Sequence, residues 1–153
     1  MVSLKKVLGG IGILLIVLIA AAIGRQAVQS SFPSRSATAN DQQFVQQLEQ
    51  ASNELNKQLP RMYDKVTRLD TTVAGPSKTW VYMYTIVSPD SSKLTQRDLD
   101  KYLGIKVRNG VCTADFMKIF IDNGVQVKYV YRANDGSVIG TIVVKPSDCK
   151  SGT

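Results

Sequence analysis

The sequence predicts an α+β domain held behind a single membrane helix. Three observations carry that reading. The first is one long apolar run near the amino terminus, Val7 to Gly24. The second is the pair of segments with two-residue alternation, each built around a turn of Gly, Pro, Asn or Asp. The third is the presence of helix-period segments before and between these pairs, the pattern of an α+β domain.

Taken in order, residues 1–6 form a short basic start, with Lys5 and Lys6. Val7–Gly24 carries no charge, and as a helix it spans about 27 Å, close to the hydrocarbon thickness of a bilayer. Positive charge before the run and a lone Arg25 close behind it favour a cytoplasmic amino end, so the rest of the chain is exported. Ala20 and Ala22 also spell a small-x-small cleavage site, but signal peptides carry only about 7 to 15 apolar residues, which favours a retained anchor. Residues 25–40, RQAVQSSFPSRSATAN, have no apolar period and read as a flexible tether with a reach of about 22 Å.

The domain itself is expected over residues 41–149, followed by a tail at 150–153. Phe44, Leu48, Ala51, Leu55 and Leu59 form one apolar stripe on a helix over 41–59, with Asn40 at its start and Pro60 at its end. The stripe suits packing on the domain's own sheet, or pairing with a second copy as a homo-oligomer. Thr67–Ala74 and Thr79–Val87 form a first hairpin, and Val125–Arg132 and Val138–Val144 a second one, closed by Asn134-Asp135-Gly136. Between them, Thr95 caps a helix in which Leu99, Tyr102, Leu103 and Val107 share a face and which Gly110 ends. A second short helix begins near Thr113 and stops at Asn123-Gly124. The order α-β-β-α-α-β-β gives an amphipathic helix on a four-stranded antiparallel sheet.

Cys112 and Cys149 are the only cysteines, and in an exported domain an even count is most simply one disulfide, closing a loop of about 38 residues worth about 4 kcal/mol. The chain has no His, so Ser/His/Asp and Cys/His nucleophile systems cannot be assembled, and no metal site or cofactor is expected. No phosphate-binding loop is present either. The reading is therefore non-enzymatic. Lys plus Arg number 19 against 12 Asp plus Glu. Setting aside Lys5 and Lys6 leaves 17 against 12, or +5, for the rest. That excess suits membrane lipid or an acidic envelope protein partner, and falls short of the basic stripe of a nucleic-acid binder.

Trp80, Tyr82, Tyr84, Tyr129 and Tyr131 lie on strands expected to be neighbours, with Lys65, Arg68, Lys128 and Arg132 close by in sequence. They form a candidate binding face for a small ligand, a glycan or a lipid head group, unless the rings are core beneath the first helix. The segment Thr71-Thr72-Val73-Ala74-Gly75 between a helix and an aromatic strand resembles the first inhibitory loop of the cystatins, Gln-x-Val-x-Gly. The resemblance implies a helix cradled by an antiparallel sheet, and an inhibitory loop at Val73, Ala74 and Gly75. LNKQLPRMYDKVTRLDTT, an aromatic strand, one mid-chain Cys and a closing Pro-Ser-Asp-Cys are similar to small inner-membrane-anchored proteins of Gram-negative bacteria. This second resemblance covers about residues 50–149 and implies a periplasmic domain with no activity attached. The expected role is a membrane-anchored periplasmic binding or assembly module engaging an envelope protein.

Overall fold

The computed structural model describes residues 37–150. The expected anchor at 7–24, the tether before Ala37 and the tail after Lys150 lie outside the described residues. Among those described, no helix is long and apolar enough to cross a membrane.

Helix α1 covers Ala37–Asn56. It starts three residues before Asn40, which therefore lies inside the helix rather than at its cap. Leu48, Ala51 and Leu55 are buried, so the stripe that suited a coiled coil is spent on the protein's own sheet. Five strands follow in sheet order β1 (Arg61–Met62), β2 (Thr67–Gly75), β3 (Thr79–Ile86), β4 (Gln126–Ala133) and β5 (Val138–Val144). The β2–β3 turn is Pro76-Ser77-Lys78, where Ser77 and Lys78 take φ of 59° and 54°. Lys78 then reaches Asp41 near the start of α1, 2.7 Å away. The β4–β5 turn is the expected one, with Gly136 at φ 86° and Asp135 accepting hydrogen bonds from the Ser137 N–H and hydroxyl.

The sheet corrects the sequence-based expectation in two ways. It has five strands rather than four, because Arg61 and Met62 add a short edge strand to Leu69 and Arg68. It is also mixed rather than antiparallel, because β3 and β4 run parallel, Thr79 opposite Gln126 through Ile86 opposite Ala133. Each hairpin is antiparallel as expected. The helices between the hairpins carry the chain back to the end of the sheet where β3 began, and a crossover of that length is what a parallel neighbour requires.

That crossover comprises α2 (Gln96–Leu99), a π-helical turn (Asp100–Gly104), α3 (Ile105–Thr113) and α4 (Asp115–Asp122). Thr95 caps it in a reciprocal box with Asp98. Gly110 does not end the helix, which runs on to Thr113. A mid-helix glycine costs only about 1 kcal/mol, a penalty that the burial of Val111 in the next position offsets. Tyr102 does not share the Leu99 face either. A π turn needs more residues per revolution than an α turn, which realigns Leu103 with Leu99 and swings Tyr102 outward to 59% exposure.

Cys112 and Cys149 are joined in a disulfide across 37 positions. Cys112 sits in the last turn of α3, and Cys149 ends a short turn of 3-10 helix, Pro146–Cys149.

All four helices lie on one face of the sheet. Ser52 and Asn56 of α1 hydrogen-bond Thr72, Phe120 of α4 meets the Trp80 ring at 5.4 Å, and Leu99 of α2 lies against Gly140. The core of Leu48, Leu55, Trp80, Phe120, Val127 and Val144 fills this layer. No described element lies on the other face.

Candidate functional site: the uncovered face of the sheet

Alternation along the strands decides which side chains share a face. On the helix side, β3 presents Trp80, Tyr82 and Tyr84, and β4 presents Val127, Tyr129 and Tyr131. The four tyrosines stack in a ladder: Tyr82 on Tyr129 at 5.2 Å, Tyr129 on Tyr84 at 6.3 Å and Tyr84 on Tyr131 at 5.4 Å. Tyr63 closes the end of the ladder edge-on to Tyr84 at 6.1 Å. The helices cover it, leaving Trp80 fully buried and Tyr82, Tyr84 and Tyr131 buried as well; Tyr129 is partly covered. Burial pushes the hydroxyls of all four tyrosines above their usual value near 10, and their phenol neighbours add to this at Tyr84 and Tyr129. The indole N–H of Trp80 and the hydroxyl of Tyr82 are both buried and neither completes a hydrogen bond. The indole lies near enough to lower Tyr82 slightly against the stronger effect of burial.

The structure thus brings the five aromatic residues together as core, not as an open binding face. Lys128 and Arg132 do not join them. Being one position out of phase with Tyr129 and Tyr131, they project from the opposite side of the sheet, beside Val81 and Thr85 respectively. Val73, Ala74 and Gly75 do not form a loop. They are the last residues of β2, paired with Val81, Trp80 and Thr79, and the chain turns only after them. Regular pairing holds their backbone flat in the sheet, so the protruding inhibitory loop implied by the cystatin resemblance is not formed.

The uncovered face carries Val73 of β2, Val81 and Met83 of β3, Val130 of β4 and Val143 of β5, adjacent by register. Val73 is 42% exposed and the other four are half-buried. Lys128 and Arg132 rise from the same face, and neither forms an ion pair among the described residues. Arg68, by contrast, is neutralised by Asp70, a carboxylate that also accepts the Thr85 hydroxyl. The face is therefore an apolar strip with free positive charge along β4. Its signal was in the sequence: Val81-x-Met83 is the second alternating set of β3, and only the disposition of the helices shows that no described element covers it.

Each side of the sheet is capped at one position by a side-chain amide. On the β2 side, the Asn56 amide accepts from the Thr72 N–H at 2.7 Å and donates to the Thr72 carbonyl at 2.9 Å. On the β5 side, the Gln96 amide accepts from the Thr141 N–H at 2.7 Å and donates to its carbonyl at 3.1 Å. Each side-chain amide takes the place of a neighbouring strand, which blocks strand addition there. A groove of about 590 Å³ beside the disulfide is lined by Asp115, Lys118, Asp122 and Lys150 among others, and Lys118 and Asp122 pair with each other at 2.6 Å. Among the described residues no three His, Cys, Asp or Glu side chains gather where a metal ion could be held.

Residues 43–139 match a family model described as Domain of unknown function (DUF8479). The chain belongs to the DUF8479 family. The matched residues run from α1 to the second residue of β5 and take in both edge clamps' side chains, Asn56 and Gln96. A comparison with curated proteins returns no match. Among solved structures, a protein of Pseudomonas aeruginosa described as secreted is similar with a TM-score of 0.62 and 12% identity, over 76% of this chain and 99% of that one. The pilotin of the Vibrio vulnificus type 2 secretion system has a TM-score of 0.60 and 13% identity, over 73% of this chain and 96% of that one. The type II secretion system pilotin of Vibrio cholerae has a TM-score of 0.55 and 17% identity, over 74% of this chain and 100% of that one. The likeness is one of fold, and it covers nearly the whole of each neighbour.

Proposed function

We propose that this DUF8479 protein is an envelope protein-binding module that serves the assembly of a larger structure and performs no catalysis. In this reading residues 7–24 hold it in the bacterial inner membrane and the domain works on the periplasmic side. The observation that carries the proposal is the uncovered strip of Val73, Val81, Met83, Val130 and Val143. With the aromatic ladder buried and strand addition blocked at Thr72 and Thr141, this strip is the apolar sheet surface that no described element covers, and apolar area rimmed by charge is the ordinary make-up of a protein interface. The unpaired Lys128 and Arg132 call for acidic residues beside the partner's apolar segment. The two neighbours described as pilotins of type II secretion systems support the setting, an assembly role in the cell envelope.

The test is site-specific photo-crosslinking of the full chain in its native membranes. A crosslinker at Val130 should give one discrete adduct with an envelope protein, while one at Lys118, on the helix side, should not give it. Met83→Glu should abolish the adduct and Lys128→Glu should reduce it, with thermal stability kept. An adduct that neither substitution changes, or one formed equally from Lys118, would overturn the proposal.

A further inference from the structure

From Gln96 to Thr113 the chain is one helical rod with a π turn in its middle. Leu99, Leu103, Val107 and Val111 recur at every fourth position and face the sheet. In a purely α-helical rod such a row would drift around the surface, and the wider π turn holds it in line. The same spacing sets Arg97, Lys101 and Ile105 in a row on the outside, with Tyr102 and Lys106 beside it and Arg108 on the other flank.

Two features combine on this outer surface. Ile105 is 71% exposed and Tyr102 59%, side by side on the rod. Arg97, Lys101, Lys106 and Arg108 make no ion pair among the described residues, and Lys101 lies over the Tyr102 ring at 4.9 Å. Of the rod's two acidic groups, Asp98 accepts from Thr95 and is also stabilised by the nearby charges of Lys101 and Arg97, and Asp100 accepts from the Gln96 amide. What remains is an aliphatic and a phenolic tip on a segment with four cations, Arg97, Lys101, Lys106 and Arg108, against two carboxylates, Asp98 and Asp100.

We infer that this rod docks on the surface of an anionic phospholipid bilayer. The rod's apolar row is turned to the sheet, so contact with lipid falls to Ile105, Tyr102 and the cations around them: cations are drawn to an anionic leaflet, and tyrosine settles at head-group depth. Each cation near an anionic leaflet favours the bound state by about fivefold. The tether expected from the sequence, with a reach of about 22 Å, keeps the bilayer within range. Because the rod and the uncovered strip lie on opposite sides of the sheet, docking the rod on lipid turns the strip away from the membrane. The inference stands on its own residues and survives if the strip binds nothing.

Hydrogen exchange on the full chain, inserted in vesicles through its own amino-terminal segment, tests this. In vesicles containing phosphatidylglycerol, amides 101–108 should exchange about tenfold more slowly than in pure phosphatidylcholine, the protection expected of more than one cation at the surface. K101Q/K106Q/R108Q should remove the difference while β3 amides stay protected. Equal exchange in the two lipids overturns the inference. So does protection that rises with protein density at fixed lipid composition, which would assign the surface to a second copy of the chain.

Discussion

Gln96 reaches 45 positions along the chain to take both backbone hydrogen-bonding groups of Thr141. The contact is possible because residue 140 is glycine. A Cβ added there would lie 2.1 Å from Gln96 Oε1 and 3.1 Å from Leu99 Cδ1. Gly140→Ala should therefore expel the Gln96 amide and cost about 1–2 kcal/mol, the range for overpacking, measured by urea unfolding. Thr141 amide exchange should quicken in the same variant, and its freed edge should promote self-association visible by sedimentation.

Asn56 plays the matching part on the other edge, and its setting is more buried. It holds the N–H, carbonyl and hydroxyl of Thr72, while Ser52 also bonds the carbonyl from a buried position. Asn56→Ala leaves the Thr72 N–H without a partner beneath α1 and should cost about 1–3 kcal/mol in chemical denaturation. Asn56→Asp should recover less than half of that loss, since a carboxylate accepts from the Thr72 N–H but cannot donate to its carbonyl.

The disulfide ties the end of α3 to the residues after β5, so reduction should loosen the helical layer first. Closing a loop across 37 positions corresponds to about 4 kcal/mol in the chain-entropy model. C112S/C149S should lower the urea midpoint accordingly, and reductant should have no further effect on that variant. A midpoint unchanged by the double substitution would contradict a stabilising role.

Alkaline pH should unfold the domain through its tyrosine ladder. Burial raises Tyr82, Tyr84, Tyr129 and Tyr131 above the value near 10 that they regain when unfolded. A raised folded value contributes stability that is complete below pH 10 and is lost as pH climbs beyond it, because only the unfolded chain then releases these protons. Tyrosinate absorbance of the buried set should therefore appear together with the loss of near-ultraviolet dichroism. Tyr84→Phe should shift that transition to higher pH.

Local signals in the sequence mapped most of the elements well. The α1 stripe, the two hairpins and the Asn134-Asp135-Gly136 turn depend on periodicity and on residues with special backbone preferences, all of which act over a few positions. Signals that were misread also have local causes. Gly110 looked like a stop because glycine is weak in helices, yet burial of Val111 outweighs that preference. An α period puts Tyr102 on the apolar face, but the turn across Asp100–Gly104 is π-helical and turns it outward. The loop at 71–75 is implied by the cystatin resemblance, whereas the two-residue alternation of Thr67–Ala74 puts the same residues in a strand, and their pairing with β3 follows the alternation.

The sequence by itself determined the α+β class, the pair of cysteines available to each other, the absence of histidine chemistry and the two-faced character of β3. Each is a matter of composition or short-range spacing. Only the tertiary structure decided that β3 and β4 run parallel, that every described helix lies on one side, and hence that the tyrosines are core while no described element covers Val73, Val81, Met83, Val130 and Val143. Alternation assigns residues to opposite faces of a strand. It does not say which face the helices will choose, because that depends on where a crossover of three helices returns the chain and on long-range contacts such as Gln96 with Thr141 and Phe120 with Trp80.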